Sequence, residues 1–165
     1  MAAPTMTKTA TPPGLDVQVV IKAPINLVLR AFFDSAALHA WWQVIRSVTT
    51  PRVLGPFAIE WSPTDFRDEV LGRLGGVFRG TVMTFEPNRG FFVADAFWLP
   101  PDGDPIGPMA LTVTCTDESS GGQTATRVHV SQSGFEESVR WRRYYEVIGV
   151  GWDRALYSLR MLLEK

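Results

Sequence analysis

The chain is poor in the residues that build metal and redox sites: one cysteine, Cys115, and two histidines, His39 and His129, stand in 165 residues. One thiol forms no internal disulfide, so a reducing compartment is the natural expectation. Two isolated histidines and one cysteine do not make a recognisable zinc set, and no metal and no cofactor is expected. An excess of positive charge is missing too. Sixteen basic side chains face seventeen acidic ones, a net charge of −1, and a nucleic-acid surface needs a cation excess to displace counterions. The sequence has no uninterrupted apolar run long enough for a membrane span, and no G-x-S-x-G, P-loop or Rossmann glycine pattern. Nucleophile-elbow hydrolysis and nucleotide binding therefore lack support.

What is present is aromatic and patterned. Trp141, Tyr145, Ile148, Trp152, Leu156, Leu159 and Leu163 recur at steps of three and four, the spacing of one face of an α-helix. The stretch from Ser133 to Glu164 reads as one long terminal helix around which the rest is organised. Ser133 and Glu136 have the S-x-x-E spacing of a capping box at its start. Gly149 and Gly151 suggest a close backbone approach or a bend. Arg140, Arg142 and Arg143, offset by Glu136, Glu137 and Glu146, read as a solvated face.

Upstream, residues 1–15 form a polar arm rich in Thr, Ala and Pro, read as neither signal peptide nor membrane span, and residues 16–165 form one domain. With no export signal, a cytoplasmic location is the default expectation. Asp16 to Ile21 alternates as a first strand; Pro24 opens a helix carrying Leu27, Val28, Ala31 and Phe32. Asp34 or Ser35 caps a second short helix that ends at Trp41 and Trp42. Strands are then expected over 53–61, 77–85, 90–99, 109–116 and 126–133, joined by short turns as an antiparallel meander. The fold class is α+β: about six antiparallel strands, two short helices after the first strand, and the long helix. The segments 62–76 and 100–108 are irregular, and the former reads as a flap or a helical turn.

Few residues suggest chemistry. His129 lies on the more polar face of its strand, and His39 has no acidic neighbour nearby in sequence. Cys115 alternates with Met109, Leu111 and Val113 as a small core residue. Asp95 shares a period-two face with Phe91, Val93, Phe97 and Leu99, although the opposite face is apolar as well. Facing inward, it is a buried acid of raised pKa; facing outward, it exposes Phe91 and Phe97 and suggests a dimer surface. No catalytic residue is assigned, with Asp95, His39 and Tyr145 as the weak candidates. A sharper reading than plain core makes Trp41, Trp42, Trp61, Met83, Phe85, Phe97, Met109, Trp141, Tyr145 and Trp152 the lining of an apolar cavity.

Ala23, Pro24, Val28, Ala31 and Phe32, followed by Trp41-Trp42, resemble the beginning of the activator of heat-shock protein 90 ATPase-like family, within the START-related, Bet v 1-like helix-grip (SRPBCC) superfamily. Gly80-Thr81-Val82 leading to Phe85-Glu86-Pro87 is similar to its central hairpin. Thr126-Arg127-Val128 through Ser133-Gly134-Phe135 is similar to its last strand and exit, and Gly151-Trp152 with Leu156, Leu159, Leu163 and Glu164 to its helix ending. The resemblance covers about residues 16–165, with 62–76 longer than the family's usual hairpin. It implies a curved antiparallel sheet gripping the long helix, with a cavity between them. Members include ligand carriers, cyclases, dehydratases and co-chaperone-like proteins, and fold does not fix function. The expectation is binding of a small hydrophobic or aromatic ligand. The alternatives are an interaction module that stimulates a chaperone ATPase and a cyclase- or dehydratase-type enzyme with a cavity acid. A homodimer fits any of these.

Overall fold

The structure, a computed structural model, describes residues 14–134, 136 and 138–165. Most of the N-terminal arm, together with Phe135 and Glu137, lies outside the described residues. Nine strands and three helices are formed among those described: β1 (Gly14–Ile21), α1 (Ile25–Ala31), α2 (Ser35–Trp42), β2 (Arg46–Thr49), β3 (Pro56–Trp61), β4 (Arg67–Asp68), β5 (Gly72–Arg73), β6 (Gly76–Glu86), β7 (Gly90–Leu99), β8 (Ile106–Asp117), β9 (Thr126–Ser133) and α3 (Val139–Leu163). Seven strands make one antiparallel sheet in the order β1-β9-β8-β7-β6-β3-β2, and β4 and β5 pair as a separate small hairpin. This is the α+β helix-grip arrangement. Because β1 and β2 are opposite edges of the sheet, α1 and α2 carry the chain from one edge to the other. The terminal helix packs along β1 and against α2, placing its apolar stripe between them.

Local chemistry accounts for the boundaries. The Asp34 carboxylate accepts from the Ala37 amide and starts α2, and Gln43, in the left-handed region, ends it. At α3 the structure corrects the expected start. Ser138, not Ser133, is the N-cap, and its hydroxyl accepts from the Trp141 amide; Ser133 is still paired in β9 with Gly14 and Ala110. The β-ladder outcompetes the capping box because it satisfies the Ser133 backbone on both sides. Trp141, Tyr144, Tyr145, Trp152, Ala155, Leu156 and Leu159 are buried on α3. Gly149 and Gly151 mark no close backbone approach: a Cβ at Gly149 would meet only Leu15, and at Gly151 nothing within 4 Å. The edge strand β2 was not expected as a strand, because only four residues pair and Val48 between them is exposed.

One irregularity decides what faces inward. Between Val93 and Ala96, β7 gains one residue relative to β8, and its register against β6 shifts at the same place. This is a bulge at Asp95, whose φ of 56° lies in the left-handed region. Gly80 on β6 makes room for it, since a Cβ there would sit 2.6 Å from the Val93 side chain and 3.0 Å from that of Ala96. The strict period-two reading of β7 therefore fails halfway along. Phe91, Val93, Ala96 and Trp98 are all buried on the inner side, and Asp95 is exposed. The expected exposure of Phe91 is corrected by the same bulge. Phe97 stays on the outer side, half-buried, beneath the Arg79 guanidinium at 5.9 Å.

Candidate functional site

A cavity of about 850 Å³ opens between α3, α2 and the inner face of the sheet, within the size range of small-molecule sites. Its walls are Trp42, Trp61, Phe78, Trp98, Val147, Ile148 and Trp152; Leu71 and Leu74 roof it, and His39, Gln43 and Ile45 stand at its rim. Its lining among the described residues includes no Asp, Glu, Lys or Arg.

The aromatic walls are tethered by their polar edges. The Trp61 indole N–H donates to the Trp42 carbonyl at 3.0 Å, and that of Trp98 to the Gly75 carbonyl at 2.7 Å. Trp42 stands 4.6 Å from Trp152 and 5.3 Å from Trp61 between ring centroids, and Trp98 stacks on Tyr144 at 5.4 Å.

A polar cluster forms the floor. Gln132 is 3 % exposed. Its Oε1 accepts from Trp152 Nε1 at 3.0 Å, and its Nε2 donates to the Tyr144 hydroxyl and to Met109 Sδ, each at 2.9 Å. An indole only donates, so this contact fixes which end of the amide is oxygen. The Tyr144 hydroxyl is left with Met109 Sδ at 3.5 Å for its own proton. Burial pushes the Tyr144 phenol far above its ordinary range, and the Gln132 amide offsets only part of this.

The flap over residues 62–76 is ordered by charge. Asp68, 3 % exposed, accepts from the Val70 and Leu71 amides on Oδ2 and from Arg143 Nη2 and Nε on Oδ1, at 2.7 and 2.9 Å. The Arg143 guanidinium leads in holding its carboxyl down, to about 2, with the two amides assisting against burial. Arg73 holds Asp102 through Nε and Nη2, fastening β5 to the loop after β7. The reading of Arg143 as part of a solvated face is thus corrected, for it ties the flap to α3; Arg140 likewise donates to the Asp104 carbonyl.

Among the residues expected to line a cavity, Trp42, Trp61 and Trp152 come together here, and His39 joins them at the rim with Nδ1 3.1 Å from the Val44 carbonyl. Trp41 is buried behind Trp42, stacked on it at 4.8 Å, with its indole N–H on the Ala31 carbonyl. Met109 lies beneath Gln132 rather than on the wall. The structure places five others elsewhere: Met83 is exposed, Phe85 packs on Phe33, Phe97 is on the outer face, and Trp141 and Tyr145 pack beside each other away from the cavity. Of the weak catalytic candidates, Asp95 is outside on its bulge. Tyr145 donates to the Gly134 carbonyl at 2.8 Å, and burial pushes its phenol up to about 12. Gln132, Tyr144, Phe78 and Trp98 were missed. Gln132 had a legible signal, a polar residue in phase with the apolar Val128 and Val130. Trp98 had none, because the bulge sets its facing.

His129 is half-exposed and pairs with Asp16, and Cys115 is buried, its thiol pushed up to about 12 by desolvation. No group of three or more His, Cys, Asp or Glu converges as metal ligands among the described residues, and no described helix is long and apolar enough to cross a membrane.

A seven-stranded sheet curled around a terminal helix, with an apolar cavity between them, defines a helix-grip domain of the START-related kind. The sequence profile of the family described as "Activator of Hsp90 ATPase homolog 1-like protein" matches residues 22–164, and the chain belongs to that family. Among solved structures, protein MLL2253 from Mesorhizobium loti is 25 % identical, with a TM-score of 0.67 over 92 % of this chain and 96 % of that one. Protein CV1439 from Chromobacterium violaceum is 22 % identical, with a TM-score of 0.63 over 93 % and 99 %. The Aha1 dimer from Colwellia psychrerythraea, solved in solution, is 20 % identical, with a TM-score of 0.57 over 92 % and 96 %. No curated protein matches.

Proposed function

We propose that this protein binds a small hydrophobic or aromatic molecule in the cavity between the sheet and α3. One observation carries the reading: a space of about 850 Å³ walled by tryptophan, phenylalanine and aliphatic side chains, with a few polar groups at its floor and rim. Apolar walls supply affinity through the area removed from water, and the few polar groups orient the occupant. Trp42, Trp61 and Trp152 are the lining residues we assign to ligand contact. Native mass spectrometry of protein purified from its own host is expected to find a retained small molecule. A thermal-shift screen with hydrophobic compounds is expected to raise the melting temperature, since a ligand that binds only the folded state stabilises it. A bare-chain mass together with no shift from any compound would contradict the proposal.

A second reading, a module acting on a chaperone ATPase, is supported by the family's description, and a homodimer by the dimeric state of the Colwellia protein. Added to the purified chaperone, the protein would alter ATP turnover under this reading; unchanged turnover removes it.

A further inference from the structure

The lining of the cavity is uneven in its chemistry. Its walls are apolar, no charged side chain reaches it among the described residues, and its floor holds one interlocked cluster in which Gln132 joins Tyr144, Trp152 and Met109. Within that group the donors and acceptors are not matched in strength. Trp152 Nε1 takes the Gln132 carbonyl oxygen, which forces both Gln132 amide hydrogens toward Tyr144 and Met109. The Tyr144 oxygen thus receives a hydrogen bond, and its own hydrogen is left with a thioether sulfur 3.5 Å away, a weak acceptor already shared with Gln132. Tyr144 lines the cavity and is 3 % exposed overall, so whatever reaches its hydroxyl comes by way of the cavity, and water there is what a ligand oxygen displaces. Tyr144 is a buried phenolic donor at the cavity floor whose partner is easily outcompeted.

We propose, resting on the cavity reading above, that the site selects an uncharged, flat aromatic ligand that presents one hydrogen-bond-accepting oxygen to the Tyr144 hydroxyl. A carbonyl or ether oxygen arriving at the floor replaces the sulfur as acceptor. The rest of the molecule lies among Trp42, Trp98 and Trp152. A carboxylate or ammonium entering the same space would lose its hydration with no counter-charge to meet it, and an ionised group without a partner is costly to bury. Gln132 acts as a positioning residue: by donating to the phenolic oxygen it turns the Tyr144 hydrogen away from itself and polarises the O–H bond.

A matched series of probes tests this by calorimetric titration of the full chain: acetylnaphthalene with a neutral acceptor, ethylnaphthalene with nearly the same shape and none, and naphthoate with a charge. The expected order is acetylnaphthalene tighter than ethylnaphthalene by about three- to tenfold, the range of one net hydrogen bond, with no measurable binding of naphthoate. Tyr144→Phe should weaken acetylnaphthalene to the level of ethylnaphthalene while leaving the latter's affinity unchanged; a purely structural role for Tyr144 would weaken both alike and overturns the proposal. Equal affinity of the wild-type protein for the first two probes, or binding of naphthoate as tight as that of the ketone, overturns it even where the variant fails to fold, and leaves the cavity reading intact. Failure of all three to bind overturns this proposal, while the cavity reading stands or falls on the native mass and the compound screen.

Discussion

Two aromatic clusters share the interior and differ in one respect, whether their rings carry a polar edge. Around Phe33, the rings of Phe57, Phe85 and Phe91 stand edge-on at centroid distances of 5.5, 5.3 and 4.8 Å, and Phe32 meets Phe91 at 5.5 Å. None of these side chains has a group to satisfy, so they close on one another in the edge-to-face geometry that ring quadrupoles favour. Around the cavity, Trp61 and Trp152 pack on Trp42 and Trp98 stacks on Tyr144, each ring carrying an N–H or O–H, and the indoles of Trp61, Trp98 and Trp152 are tied to acceptors outside the ring stacks. Those tethers fix the rings as walls rather than letting them collapse inward. Trp41 joins the two clusters, edge-on to Phe32 and stacked on Trp42. The closed cluster is read as the stabilising core and the tethered one as the site.

Substitutions can separate these roles. Phe91→Ala, in the closed cluster, should cost about 3 to 5 kcal/mol and lower the melting temperature by about 2 to 4 °C for each of them, read by urea and thermal unfolding. Trp152→Phe keeps most of the ring but removes the donor to Gln132, leaving a buried carbonyl unpaired. It should cost about 1 to 3 kcal/mol in the same assays. A larger loss at Trp152 than at Phe91 would reverse the assignment of core and site.

The flap supplies a smaller effect with a pH signature. The Asp68 carboxyl titrates at about 2 in the folded protein, below the roughly 3.9 of a free aspartate. The unfolded chain therefore takes up the proton first as pH falls, and the contribution of the Arg143 pair is complete above about pH 4 and lost toward about pH 2. Urea midpoints across that interval should fall more steeply for the wild type than for Asp68→Asn, which has no carboxylate to protonate. Parallel curves would mean that the flap is held mainly by Leu71 and Leu74.

Much of this organisation was legible, and the failures have specific physical causes. The helical stripe from Trp141 to Leu159, the caps at Asp34, the inward face of β8 and the meander all follow from periodicity and turn chemistry. The facing of β7 did not, because one residue in the left-handed region at Asp95 inverts the alternation, and no sequence period carries a bulge. The start of α3 was displaced because Ser133 satisfied two rules and the sheet won. Gln132 and Tyr144 escaped notice as a pair because their contact joins a strand to a helix, a juxtaposition set by the packing of α3 rather than by neighbours in the chain.

Ile148 is half-buried at the cavity wall, and Ile148→Trp would project a larger ring from that wall into the space at little cost to the fold. Titrated with acetylnaphthalene, the wild type should bind saturably and the narrowed variant measurably more weakly, with its unfolding midpoint unchanged or raised. Undiminished binding by a folded Ile148→Trp protein would contradict the cavity as the ligand site.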